Sequence, residues 1–282
     1  MTNPIRKLKI GNATLHIINI GDVQEDLTRW FDLTPEEQSR HRQLLAQPAR
    51  LPIQCIHVAM PGVSLLVDAG LYDYPADAPQ LIPGYSPTMD LFAGLAQIGV
   101  APESISQVII THAHGDHFNA LSELRGGQRV LSFPNARHYL GQGDWDAMQP
   151  ALANPESLES TTFGVVQQHG LLETVAAPLD LGHGIQILPT PGESPGHQAV
   201  RIHSEGETVV YCIGDLYHLT AEAESPELVV RWTNGPANRA SRSSFNQAAH
   251  AENALLIATH IPEFGRLQKS QESRSGWRWA NA

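Results

Sequence analysis

A layered α/β fold with a mixed sheet is the class that the 282-residue sequence predicts. Pairs of short apolar, β-branched runs recur along the chain, helical patterns interrupt them, and no repeat, low-complexity tract or composition shift divides the chain. Residues 8–10 and 14–20 alternate like a hairpin around Gly11-Asn12 and end at Gly21-Asp22. Residues 24–52 change character: Thr34-Pro35-Glu36-Glu37 places an N-cap, a first-turn proline and a glutamate three after the cap, opening a polar helix that ends near Pro48. We expect an insertion or flap there. Residues 55–60 and 63–67 read as paired strands around Pro61-Gly62, closing on Asp68-Ala69-Gly70, and a loop rich in Pro, Tyr and Asp follows.

Ser86-Pro87 is expected to open a second helix carrying Leu91, Phe92, Leu95 and Ile98, stopped by Gly99. Val108-Ile109-Ile110 then reads as a buried strand ending at Thr111. Further strands are expected at 130–133, 185–188, 199–203 and 208–213, the last two joined by Glu205-Gly206, and at 255–258 after a helix over 241–253. The expectation is a single domain over 1–282 with the 24–52 flap and a C-terminal tail at 267–282, whose Trp277-Arg278-Trp279 is expected to be a docking or oligomer contact.

Composition narrows the function classes. Lys plus Arg number 18 against 29 Asp plus Glu, a net charge of −11, and no basic cluster suits a polyanion, so nucleic acid is not an expected partner. At 41% hydrophobic and 17% charged residues the chain can bury a core, which disorder cannot. No apolar run approaches the ~18 residues of a membrane span, and the first twenty residues lack a signal-peptide core, so a cytoplasmic protein without a membrane partner is expected. Cys55 and Cys212 lie in apolar stretches and read as buried thiols. Histidine, at 14 copies, stands out.

Thr111-His112-Ala113-His114-Gly115-Asp116-His117 directly follows the expected buried strand. His112 and His114 project to one side of an extended backbone, while the Gly115 kink lets Asp116 and His117 turn toward a second position, so one segment can serve two metals. Catalytic zinc takes about three protein ligands and a water, so further ligands must come from afar. His197, Asp215 and His260 are each expected just past a strand's carboxyl end, where α/β sites collect.

These residues resemble the metallo-β-lactamase superfamily over roughly residues 14–266, through Asp68-Ala69-Gly70, the His112 to His117 motif, His197 after a Pro-Gly turn, Gly214-Asp215 and Thr259-His260. The resemblance implies an αββα four-layer sandwich, two mixed β-sheets flanked by helices. It implies one metal held by His112, His114 and His197, a second by Asp116, His117 and His260, Asp215 bridging both, and Asp68 orienting the ligand loop. The cofactors expected are two divalent ions, zinc first, with manganese, iron or cobalt compatible; the chemistry expected is hydrolysis by a metal-bridging hydroxide. Flavodiiron oxidoreductases would carry a glutamate at His114, and zinc β-lactamases commonly a cysteine at Asp215; a bridging aspartate resembles lactonases, phosphotriesterases, phosphodiesterases and glyoxalase II.

Two positions depart from these relatives. Many carry histidine where this chain has Glu193, and N-acyl-homoserine lactonases have a tyrosine at the position of His218, one after Tyr217. Asp116, Asp215, Tyr217 and His218 are therefore the expected catalytic residues. The stretches around Asp215, Ser241-Arg242 and Thr259-Pro262 resemble the methyl parathion hydrolase-like branch, so the expected reaction is lactone or ester hydrolysis of a small molecule, an acyl-homoserine lactone for instance, with phosphotriester or phosphodiester hydrolysis as the alternative. An apolar pocket built from Trp30, Phe31, Tyr85, Phe118, Trp145 and Met148 is expected, and a homodimer is compatible.

Overall fold

The computed structural model describes residues 4–71, 84–204, 206 and 208–282. The Pro-, Tyr- and Asp-rich loop and the Glu205 half of the Glu205-Gly206 turn lie outside the described residues. Ten strands come first: Ile5–Ile10 (β1), Ala13–Glu25 (β2), Ala49–Met60 (β3), Val63–Val67 (β4), Tyr85–Pro87 (β5), Gln107–Ile109 (β6), Ser122–Arg125 (β7), Gln128–Leu131 (β8), Arg137–Gly141 (β9) and Leu172–Val175 (β10). They form a sheet in the order β1-β2-β3-β4-β6-β9-β10, with β5 beside β2 and β7-β8 as a separate hairpin. The second sheet runs in chain order: Leu179–Asp180 (β11), Ile185–Pro189 (β12), Gln198–Ile202 (β13), Val210–Cys212 (β14), Leu255–Ile257 (β15), Gly265–Lys269 (β16) and Trp277–Asn281 (β17). β4, β6, β9 and β10 pair in parallel, as do β14 and β15, and the other pairs are antiparallel. Both sheets are therefore mixed.

Alternation of side chains along each strand assigns the layers. Ile17, Leu65, Val67 and Ile109 face inward and meet Val200, Val210, Cys212, Leu255 and Ile257 of the other sheet, making the inter-sheet core. Their neighbours Ile18, Leu66, Val108 and Ile110 face outward and pack under helices that supply Leu91, Leu95, Phe163 and Val166. Tyr211, Ile213 and Leu256 face outward from the second sheet against Phe245 and Ala249 of the helix Gly235–Ala251. This is the αββα sandwich, and burial on both faces explains why its central strands read as unbroken apolar runs.

The capping box at Thr34 forms as expected and opens the helix Pro35–Arg40. The 24–52 flap is shorter than its expected bounds, because β2 continues to Glu25 and β3 begins at Ala49. It is docked: Leu27, Trp30 and Phe31 pack with Leu228 and Val230, and Glu227 receives Arg40 at 2.9 Å and His41 at 3.0 Å. Other boundaries move for local reasons. Ser86-Pro87 belongs to an edge strand, and the helix starts after Asp90, whose side chain accepts from the Ala93 N–H. Residues 128–131 join the separate hairpin, and the helix expected at 241–253 begins at Gly235, capped by Asn234.

The Trp277-Arg278-Trp279 expectation is corrected. Trp277 and Trp279 are buried in the outer core of the second sheet, while Arg278 points outward to Gln268. Residues 267–282 are therefore the last strands of a sheet, not a tail. Gly265 makes the packing possible, since a Cβ there would lie 2.0 Å from the Trp279 indole nitrogen.

Candidate metal centre

The candidate site lies where β4, β6 and β14 end and where β13 begins. Asp68 follows β4 in a left-handed backbone conformation, φ 61°, which an aspartate tolerates better than most residues. Its carboxylate accepts the Thr111 N–H at 2.7 Å and the Thr111 hydroxyl at 2.9 Å, and lies 2.9 Å from His117 Nδ1. That contact assigns the His117 proton to Nδ1 and turns Nε2 toward Asp116 and Asp215. His260 is set the same way, Nδ1 donating to the Pro52 carbonyl at 2.8 Å. Gln54, buried beside it in β3, donates to the Ala258 and Ile261 carbonyls and so fixes the loop that carries His260.

Two groups of donor atoms converge. His112, His114, Glu193 and Asp215 form one; Asp116, His117 and His260 form the other. His112 Nε2 stands 2.8 Å from His114 Nδ1 and 3.6 Å from Asp215 Oδ2. Asp116 Oδ2 lies 3.7 Å from His117 Nε2 and 3.5 Å from His260 Nε2. Asp215 Oδ2 reaches those same two nitrogens at 3.4 and 3.2 Å. Donors about 2.0–2.2 Å from one ion stand roughly 3–3.5 Å from each other, so these separations suit cation binding. His117 Nε2 and Asp215 Oδ1 are buried without a hydrogen-bond partner among the described residues, as unprotonated ligand atoms would be. The residues fit divalent metals.

His197 is brought alongside rather than into the first group. Its ring is 5.2 Å from that of His112, Nδ1 meets Thr190 Oγ1 at 2.8 Å, and Nε2 accepts the Asp215 N–H at 3.1 Å. Glu193, noted in the sequence only as a departure, takes the place in the group.

Electrostatics follow from burial against charge. Desolvation holds His112 well below the usual imidazole range, so it is neutral, and His197 is lowered for the same reason. Burial also disfavours charge on His117, His260 and His218, but the facing carboxylates outweigh it and raise all three. Asp215, which burial alone would push up, is held well below the carboxylate range by His260, His117, His218 and His112. The cluster favours positive charge around Asp215.

A cavity of about 440 Å³ opens on this cluster. Its floor is His114, Asp116, Asp215 and His260, and its wall is Trp30 and Trp232, with Val23 and Leu51. His218 lies between them, Nε2 3.3 Å from Asp215 Oδ2 and its ring edge-on to Trp30 at 5.3 Å. Trp232, 48% exposed, escaped the sequence reading because it sits in an irregular stretch without a motif.

The expected aromatic pocket is corrected except at Trp30. Phe118 and Met148 are buried in the outer core of the first sheet, Trp145 and Tyr85 pack against that core, and Phe31 packs under the flap. Tyr217 is also corrected as a catalytic residue. Its hydroxyl donates to Asn246 at 2.8 Å and its ring lies under Arg242, on the side away from the cavity. Adjacent residues diverge in direction, so anchoring by Asp215 brings in His218 and sends Tyr217 into the core.

A further residue, Asp144, has no counterpart in the sequence reading. Buried after β9, it accepts the Ala113 N–H at 2.8 Å, the Gly196 N–H at 2.7 Å and the Ser194 hydroxyl at 2.8 Å. It ties the His112–His114 segment to the turn before His197. Gly141 permits the approach, since a Cβ there would lie 1.8 Å from the Gly196 carbonyl oxygen.

A four-layer sandwich that brings two groups of metal-ligand donors to one cavity defines a candidate metal-binding protein. The chain belongs to the metallo-beta-lactamase superfamily, whose family model matches residues 51–260. It is 31% identical over 137 residues to metallo-beta-lactamase domain-containing protein 1 of Mus musculus, covering 48% of this chain and only 42% of that protein. Among solved structures it resembles the hydrolase AbOPH of the beta lactamase superfamily, with a TM-score of 0.80, 17% identity and coverage of 100% of this chain and 98% of that one. It also resembles AidC, a dizinc quorum-quenching lactonase, with a TM-score of 0.77, 18% identity and coverage of 99% and 97%. At these identities the structures show the fold. Among the described residues no helix is long and apolar enough to cross a membrane.

Proposed function

We propose that the chain is a binuclear metal-dependent hydrolase that opens a lactone or ester of a small, partly apolar molecule, an acyl-homoserine lactone being the first substrate to try. The observation that carries this reading is Asp215 Oδ2, which lies 3.6 Å from His112 Nε2 on one side and 3.4 and 3.2 Å from His117 and His260 Nε2 on the other. One carboxylate oxygen is thus offered to both donor groups. Two divalent ions, zinc first and manganese, iron or cobalt equally compatible with these donors, would supply a Lewis acid and a water acidic near neutral pH.

The chain's own residues do the remaining work. His112, His114, His117 and His260, with Asp116 and Asp215, would hold the ions, and His197 stands beside the first of them with its Nε2 on the Asp215 N–H. Asp116 Oδ2, on the cavity floor, can take the proton of the attacking water and return it to the leaving alkoxide. His218 Nε2 can donate to the substrate carbonyl oxygen as charge grows there. Trp30, Trp232, Val23 and Leu51 exclude water from an acyl chain. Among the described residues neither Lys nor Arg lines the cavity, which disfavours phosphodiester anions and nucleic acid over neutral esters. The partner is accordingly a small molecule.

Metal analysis, together with a pH-indicator panel of acyl-homoserine lactones, simple lactones, aryl esters, phosphotriesters and phosphodiesters, tests the reading. We expect lactones or esters to turn over; strong phosphodiester turnover with none on lactones or esters would sink it. His218→Phe is expected to keep both metals and lose about a hundredfold in turnover, the typical cost of one oxyanion donor. Unchanged turnover would reduce His218 to a packing residue.

A further inference from the structure

We propose that Glu193 is itself a metal ligand, so that the first metal position is built from His112, His114, Glu193 and Asp215 and is richer in oxygen than the family pattern implies. The inference rests on the binuclear reading above and concerns one residue which that reading does not use. Glu193 Oε1 lies 3.6 Å from His114 Nδ1, and the four donor atoms of the group all fall within 4.8 Å of one another. The side chain is buried, 3% exposed, and its Oε2 has no hydrogen-bond partner among the described residues. Burying a carboxylate with one bare oxygen is costly unless a cation compensates it.

Among the described residues the one side-chain hydrogen bond to Glu193 comes from the Trp232 indole N–H, to Oε1 at 2.7 Å, which orients the group without neutralising it. His218 Nε2, 3.6 Å from Oε1, is an ion-pair partner that offsets part of the charge but leaves Oε2 bare among the described residues.

The turn that presents Glu193 is rigidly built. Gly192 has φ +143° and lies so close to the helix Gly235–Ala251 that a Cβ would come 2.3 Å from Asn238 Cα. Its carbonyl accepts the Asn234 N–H at 2.8 Å, and its own N–H reaches the Ser194 carbonyl at 2.9 Å. The carboxylate is therefore aimed by the backbone. A third carboxylate beside Asp116 and Asp215 lowers the net charge of the loaded centre and shifts preference toward harder, higher-coordinate ions such as manganese or iron(II) relative to zinc.

The test uses the full chain loaded with zinc, manganese or cobalt, with metal content by elemental analysis, affinity by chelator competition, and the visible spectrum of the cobalt form. Glu193→Gln preserves volume and can still accept from Trp232. It is expected to bind one of two ions at least about tenfold more weakly and to show altered cobalt bands. Glu193→His restores a nitrogen donor and is expected to keep two ions while gaining preference for zinc over manganese; it decides the matter independently should the Gln variant not fold. Two ions at wild-type affinity with an unchanged cobalt spectrum in Glu193→Gln, or an unchanged zinc-to-manganese preference in Glu193→His, would overturn the proposal and leave Glu193 as a partner of His218. Failure of the unmutated chain to bind two ions would instead overturn the binuclear reading itself.

Discussion

Asp215→Asn is expected to leave the purified chain with fewer than two metals and to lower turnover by a hundredfold or more. Asp215 is 3% exposed and surrounded by His112, His117, His218 and His260, and its Oδ2 lies within 3.6 Å of ring nitrogens in both donor groups. The amide keeps the volume and an acceptor oxygen but loses the charge that the proposed binuclear centre would place between two cations. It also introduces an N–H₂ that points its protons at one of them. Mutations in the supporting shell of a metal site already cost about tenfold to a hundredfold, and a shared ligand should cost at least as much. Elemental analysis and steady-state kinetics on the same preparation check this. Full activity with two bound ions would refute the bridging role.

What could be read from the sequence follows from how local each signal is. His112, His114, Asp116 and His117 lie within six residues after a buried strand, so spacing alone exposes them. His197, Asp215 and His260 are far apart, but each is marked by a Gly-His, Gly-Asp or Thr-His pair beside an apolar run. The layers were legible because period-two strands buried on both faces leave short unbroken apolar segments. Direction was harder. Tyr217 and His218 are neighbours that diverge, and a composition argument could not say which faces the cavity. Trp277-Arg278-Trp279 carried the period-two pattern of an edge strand, and that alternation, rather than aromatic content, was the useful signal. β9, with His138 and Tyr139 inside it, carries too few β-branched residues to announce itself. Glu193 and Asp144 matter only through partners that the fold brings to them.

Asp144→Ala should destabilise the fold by about 3–5 kcal/mol and weaken metal binding together. The carboxylate is 2% exposed and takes three hydrogen bonds, from Ala113, Ser194 and Gly196, across 31 to 52 residues of sequence. Bonds to a charged acceptor contribute about 1.5–3 kcal/mol each, and removing that acceptor strands buried donors at about 1–3 kcal/mol apiece. Partial relaxation and a water entering the vacated volume bring the net toward the lower end of the sum. At roughly 2–4 °C per kcal/mol for a chain of this size, the melting point should fall by about 10 °C. The Ala113 N–H belongs to the segment that spaces His112 and His114, and Gly196 directly precedes His197, so loosening both should relax the approach of those imidazoles. Melting in the presence of a chelator isolates the structural loss, and chelator competition measures the effect on metal. Asp144→Asn, which retains one acceptor oxygen, should fall between wild type and alanine on both readouts. A lower melting point with unchanged metal affinity would make Asp144 a fastener of the fold alone, whereas parallel losses would make it the residue that positions the histidines.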